Sequence, residues 1–327
     1  MQYRKDKKGN DISLLGFGCM RFEGSGTGEY FQKANDQVME AIRQGINYFD
    51  TAYVYKNNEK VLGRILAENN CRDQIYIATK LPQYMVRSVA QAEKIFNQEL
   101  ELLQTDHIDY YLMHNMGRDR YFNTHKWGGF DFARRMKEEG KIKKFGFSFH
   151  DDAEMLDQIL TEHPEVDFVQ LQINYLDWEN KIIQSRACYE TARKYNKPIV
   201  VMEPVKGGTL ANLPKEADSM LYEYAPGVLP VSYALRFAAS LPGVFMVLSG
   251  MSSLEQVKDN IHIMDNPAPL NEGEKELLSK IIDIINSKTV IPCTSCGYCM
   301  EVCPKNINIP GLFGLYNNYC INNNFSN

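Results

Sequence analysis

The sequence has little excess charge: 36 Lys and Arg face 41 Asp and Glu, for a net charge of -5. Without a basic excess there is no electrostatic footprint for nucleic acid. No stretch approaches the ~20 apolar residues of a membrane span. The run after the basic start, Ile12 to Met20, holds Gly16 and Gly18 and no small-residue cleavage site. It reads as a strand rather than a signal peptide, and the expected location is cytoplasmic. Low-complexity sequence is confined to the Asn run at 322–324. With 44% hydrophobic and 24% charged residues, a disordered chain and a coiled coil are both excluded. At 327 residues the core is ample, so the fold needs neither disulfide nor metal.

Cysteine is sparse through most of the chain, with only Cys19, Cys71 and Cys188 before residue 293. Cys293, Cys296, Cys299, Cys303 and Cys320 crowd the end. A secreted disulfide protein spreads its cysteines, so this clustering argues for a metal or cluster site in a reducing compartment.

What is present is a regular alternation. Apolar runs at 13–19, 46–52, 75–80, 108–114, 143–149, 166–174, 198–204 and 244–250 read as strands. Between them, helical patterns occupy 32–44, 58–68, 88–103, 129–140, 151–162, 179–195, 230–240 and 252–261. Strands apolar on both faces and separated by helices form parallel sheets covered by helices. Eight such units predict an α/β fold of the closed (β/α)8 TIM-barrel type. A doubly wound open sheet is the alternative, but no GxGxxG follows the first strand; the GSGTG at 24–28 has the wrong spacing. Gly9 and Asn10 sit in turn position, as in a small hairpin plugging the barrel bottom. The expected division is a barrel over 1–265 and, over 266–327, a helix (271–286) with a short iron–sulfur tail. The loops 20–31, 82–87, 115–127 and 205–228 are expected to line the substrate pocket.

In such a barrel, polar residues at the carboxyl ends of strands face the active site. Asp50, Lys80 and His114 end three successive strands, and Tyr55 follows Asp50 by five residues. Singly, each has a structural explanation in a helix cap or an ion pair. Together they must converge.

These residues carry a resemblance. GINYFDTAYVY (45–55), followed by Asn58, Glu59 and Gly63, resembles the aldo-keto reductase signature, in which DTAxxY precedes NExxxG. IATK (77–80) and IDYYLMH (108–114) fall where that family has its lysine and histidine. GKIKKFGFS (140–148), VQLQINY (169–175) and GMSSLEQVKDN (250–260) are similar to its cofactor-side motifs. The resemblance implies an NAD(P)H-dependent reductase of small-molecule aldehydes or ketones, with the tetrad Asp50, Tyr55, Lys80 and His114. Tyr53 competes with Tyr55 but lies off the DTAxxY spacing. The resemblance places the nicotinamide amide near Ser148 and Gln170, and Met202 where many relatives stack an aromatic. It draws phosphate-side contacts from Gly207, Gly208, Gly250, Ser252, Ser253, Gln256 and Asn260. Two departures stand out. Phe149 replaces the usual asparagine after the serine, and Gly250 and Gln256 replace the lysine and arginine of many NADPH-preferring relatives.

The chemistry of the tetrad also stands on physical grounds. Hydride delivery to a carbonyl builds negative charge on oxygen, which a proton donor must quench. Tyrosine, with pKa ~10, is a weak acid. A nearby ammonium lowers that value, so Lys80 is expected to acidify Tyr55 while Asp50 holds Lys80 charged. His114 would fix the carbonyl oxygen. The rival readings are a non-catalytic NAD(P)H-binding regulatory module and an iron–sulfur electron-transfer protein.

Cys293-x2-Cys296-x2-Cys299-x3-Cys303-Pro304 matches the bacterial ferredoxin run that binds [4Fe-4S] clusters. In two-cluster ferredoxins the Cys before Pro serves the other cluster. Either Cys303 or Cys320 completes one cluster here, or the site is incomplete. A four-thiolate zinc site is the alternative. A redox partner protein is the further partner such a cluster implies.

Overall fold

The computed structural model describes residues 1–6, 8–23, 26–291, 293, 298–305 and 307–322. A hairpin of β1 (Tyr3–Lys5) and β2 (Asp11–Ser13) leads into β3 (Leu15–Gly18). The barrel then alternates α1 (Gly28–Arg43), β4 (Tyr48–Asp50), α2 (Asn58–Glu68), β5 (Tyr76–Leu81), α3 (Val89–Leu103) and β6 (Ile108–Met116). It continues with α4 (Arg118–Trp127), α5 (Gly129–Glu138), β7 (Ile142–Phe149), α6 (Ala153–Glu162), β8 (Phe168–Gln172) and α7 (Ser185–Lys194). β9 (Ile199–Met202), α8 (Lys215–Tyr224), α9 (Pro230–Ser240), β10 (Val244–Gly250) and α10 (Leu254–Asp265) complete it. α11 (Glu272–Lys288), α12 (Tyr298–Glu301) and α13 (Ile309–Asn322) follow. β3 to β10 pair in parallel and close on one another, β10 beside β3, so the fold is the expected (β/α)8 barrel.

Strand side chains alternate between two cores. Phe49, Ile77, Tyr111, Phe147, Val169 and Val201 face the helices. Tyr48, Ala78, Tyr110, Leu112, Phe168 and Val200 fill the barrel interior, joined by Ile12 from the hairpin. The hairpin therefore plugs the bottom, as its turn residues predict. Gly16 is required there: a Cβ would lie 2.6 Å from both Leu248 Cδ2 and Met246 Sδ. Two residues further along each strand, the same inward row becomes polar. Tyr48 gives way to Asp50, Ala78 to Lys80, Leu112 to His114 and Phe168 to Gln170. The strand period of two thus stacks an apolar floor under a polar mouth.

Helix caps follow local sequence. Ser88, Asp152 and Ser253 accept the N–H groups of Gln91, Met155 and Gln256, and Asn271 with Glu274 forms a capping box. α11 packs Leu277, Leu278, Ile281 and Ile285 against Leu221 and Tyr233 of α8 and α9.

Three segments differ from their sequence pattern. The 115–127 loop contains α4, in which only Tyr121, Thr124 and Trp127 are buried, a stripe too thin to show as periodicity. α8 lies inside the 205–228 loop. α7 starts at 185 rather than 179, because Asn180 Oδ1 accepts the N–H groups of Ile182 and Ile183 in a turn and Gln184 is left-handed, at φ 55°. Among the described residues, no helix is long and apolar enough to cross a membrane.

Candidate active site

The mouth brings the four expected residues together. Lys80 Nζ lies 2.5 Å from Asp50 Oδ1 and 2.7 Å from Thr51 O. It also sits 4.9 Å from the centroid of the Tyr55 ring. Tyr55 stands edge-on to His114, with ring centroids 5.7 Å apart. Asp50, Lys80 and His114 are buried. Tyr53 points away, giving its hydroxyl to Gln98 Oε1 at 3.1 Å on α3. The neighbouring signature residues frame the site. Asn58 Nδ2 holds Cys19 O at 2.8 Å, Thr79 gives its hydroxyl to Glu59, and Gly63 lets α2 approach the backbone of Leu102 and Leu103.

Electrostatics follow from burial. Burial opposes the Lys80 charge, but Asp50 and Tyr55 outweigh it and hold Lys80 above the ordinary lysine value. Lys80 is an ammonium at neutral pH. Burial pushes Asp50 up, partly offset by Lys80. Burial also drives His114 well below the ordinary histidine value, with help from Lys80, so the ring is neutral and offers one N–H as a donor. The expected acidity of Tyr55 needs correction. Lys80 pulls its value down as anticipated, but burial pushes harder and Asp50 adds to it, so Tyr55 lies above the ordinary tyrosine value.

The cofactor-side candidates are also placed. Ser148 Oγ accepts the Asn115 N–H at 2.7 Å. Gln170 Nε2 reaches Asp50 Oδ2 at 3.5 Å, while its buried Oε1 accepts no hydrogen bond. That orphan acceptor at the polar mouth fits a carboxamide donor such as that of nicotinamide. Met202, half-buried, ends β9, and Gly207 and Gly208 follow with φ of 64° and 107°. Ser252 gives its N–H to Gln256 Oε1 at 2.9 Å, so Gln256 folds back on the start of α10, which Ser253 caps. Asn260 is buried and donates to Ser249 Oγ at 2.9 Å. One neighbour escaped sequence reading: Arg21 lies across Gly250, where a Cβ would meet its Cγ at 2.8 Å. No motif marks Arg21, and only the closing of β10 on β3 brings it there.

In the tail, Cys293, Cys299, Cys303 and Cys320 are half-buried thiols; Cys296 lies outside the described residues. The Ile307 N–H donates to Cys303 Sγ at 3.4 Å. Among the described residues, no group of three or more His, Cys, Asp or Glu side chains is placed to hold a metal ion. The described thiols alone therefore do not form a cluster site.

Comparison with solved structures shows the same fold. An aldo-keto reductase from Klebsiella pneumoniae in complex with NADPH superposes with a TM-score of 0.69 at 20% identity, covering 86% of this chain and 96% of that one. An aldo-keto reductase from Bacillus halodurans in its holo form gives 0.65 at 24% identity, covering 86% and 95%. The Aldo/keto reductase family model matches residues 14–283, and the chain belongs to that family. Among curated relatives, an uncharacterized oxidoreductase of Bacillus subtilis, YqkF, is 26% identical over 312 residues, covering 84% of this chain and 95% of its own. The glyoxal reductase of the same organism is 31% identical over 143 residues, 43% of this chain and 46% of its own.

Proposed function

We propose that the chain reduces aldehyde or ketone carbonyls to alcohols, with Tyr55 as the proton donor. The observation that carries this is the packing of the Tyr55 ring against both the Lys80 ammonium and the neutral His114 ring. Bound NAD(P)H would supply the hydride. Gln170 and Ser148 would hold the carboxamide, Met202 would lie against the ring, and Gly207, Gly208, Gly250, Ser252, Ser253, Gln256 and Asn260 would border the phosphates and ribose. His114 donates its N–H to the carbonyl oxygen and fixes it beside the Tyr55 hydroxyl. As charge builds on that oxygen, Tyr55 gives up its proton, and Lys80, kept charged by Asp50, stabilises the phenolate left behind. The high resting value of Tyr55 keeps the proton in place until then.

Tyr55→Phe should cut turnover at least ~10²-fold, the lower range for a positioned acid, and leave the cofactor dissociation constant nearly unchanged. Retention of more than about a tenth of the rate overturns the assignment. NADH should be used at least as readily as the family's usual NADPH preference would allow, because Gly250 and Gln256 are not themselves cations; Arg21, which lies across Gly250, is tested alongside as Arg21→Ala. Fluorescence titration of both nucleotides decides this, and a far smaller dissociation constant for NADPH rejects it.

The cysteine run supports a separate reading of the tail. One [4Fe-4S] cluster would be held by Cys293, Cys296, Cys299 and either Cys303 or Cys320, with a structural role or electron exchange with a protein partner. No step of carbonyl reduction passes through it. Iron and sulfide per chain, assayed after anaerobic purification, test this; zinc in their place overturns it.

A further inference from the structure

Cations line the mouth of the barrel beside His114. Arg120, on the first turn of α4, donates from Nη1 to Asn115 O at 3.2 Å, and Asn115 directly follows His114. The Arg120 guanidinium also lies over the Tyr84 ring, 4.6 Å from its centroid. This placement is braced. Asn123, one turn on, donates to Gln83 O and Val86 O at 3.4 Å each, and Gln83 Nε2 reaches Asn115 O at 3.4 Å. α4 is thereby clamped onto the loop after β5, and Arg120 is presented from a fixed frame.

Its charge reaches the reacting end of the site. Arg120 is among the groups that depress His114, together with Lys80. His150, at the end of β7, is pushed down to about 3 by burial and by Arg120, and so is neutral. A cavity of about 440 Å³ adjoins, its wall including Asn115, Arg120, His150 and Gln172. Of the acids in that wall, Asp151 is engaged by the N–H groups of Arg118 and Asp152 at 2.7 and 2.8 Å, and Asp119 is exposed. In that wall Arg118 is paired with Asp152 at 3.3 Å, which leaves the Arg120 guanidinium, beside Asn115, as the cation nearest His114 on this side.

We propose that the substrate is a carbonyl compound carrying a carboxylate, which Arg120 meets while the carbonyl oxygen lies between Tyr55 and His114. The inference rests on the reductase reading and names its substrate class. A guanidinium placed over an aromatic ring offers a planar fork matched to a carboxylate. The carboxylate is unchanged in the reaction: hydride and proton add to the carbonyl to give a hydroxy acid.

The test uses matched pairs, 4-carboxybenzaldehyde against 4-methylbenzaldehyde and 4-oxobutanoate against butanal. In the wild type, kcat/KM should favour the anionic member of at least one pair about tenfold or more. Arg120→Met should lower that ratio about ten- to a hundredfold, the worth of one charged hydrogen bond. Arg120→Lys should restore part of it, and added salt should erode it. Neutral preference in both pairs, or a ratio unmoved by Arg120→Met, overturns the inference. If no carbonyl is reduced, the reductase reading fails by itself, and calorimetric binding of benzoate still decides Arg120. At least tenfold weaker binding in Arg120→Met supports its role; equal binding rejects it.

Discussion

Replacing Lys80 by Met keeps most of the stem's volume and removes the ammonium. Lys80 and Asp50 are 1% and 4% exposed, so the substitution leaves a buried carboxylate without its ammonium. Breaking a buried pair by deleting one partner costs about 3–5 kcal/mol. At roughly 2 °C per kcal/mol for a chain of this size, the melting temperature should fall by ~6–10 °C. The loss depends on pH with a definite sign. Burial already holds Asp50 above its ordinary value, and without Lys80 it must rise further. A raised carboxyl contributes stability at low pH that is lost as pH climbs through its folded value. The deficit should therefore be smaller at pH 5 than at pH 8. Catalysis separates from stability in the double variant Asp50→Asn with Lys80→Met. It has no lone charge to bury, so most of the stability returns. Reduction does not return, because burial still opposes the Tyr55 phenolate and no ammonium stabilises it. Urea unfolding at both pH values, beside aldehyde turnover, reads the two effects independently. A loss under ~1 kcal/mol at pH 8, or recovery of rate in the double variant, would refute the reasoning.

Tyr53→Phe should leave turnover within a few-fold of wild type, since it removes only the hydrogen bond to Gln98 on α3; steady-state kinetics check this. Gly16→Val should destabilise the barrel by at least ~1–3 kcal/mol of overpacking against Leu248 and Met246, measured by urea unfolding. Glu59, pushed up to about 7 chiefly by burial, contributes stability that declines as pH rises through neutrality. Between pH 5.5 and 8.5, Glu59→Gln should flatten that decline relative to wild type; an unchanged slope assigns it to other groups.

How much of this was legible in the sequence depends on the reach of each interaction. The strands and the tetrad were open to reading because one rule governs both. Period-two alternation points Tyr48 and Asp50 the same way, and parallel register sets Asp50 beside Ala78, then Lys80 beside Leu112. A side chain two residues past an inward apolar one must enter the mouth, so Asp50, Lys80 and His114 converge without knowledge of any loop. The acidity of Tyr55 was misread because sequence order shows the ammonium but not the depth of burial, and burial prevailed. α4 was invisible for a related reason. It is held by a thin stripe, Tyr121 and Trp127 in the core, and by contacts across the mouth, Arg120 on Tyr84 and Asn123 on the loop after β5, none of which shows as an apolar periodicity. Arg21 and Gly250 lie at opposite ends of the barrel sequence and touch only because β10 closes on β3. Strand ends can thus be read from periodicity alone. The group proposed to choose among carbonyl substrates, Arg120, sits on a segment positioned by tertiary contacts. For the same reason, chemistry in this fold is readable from local pattern, whereas specificity waits on the assembled mouth.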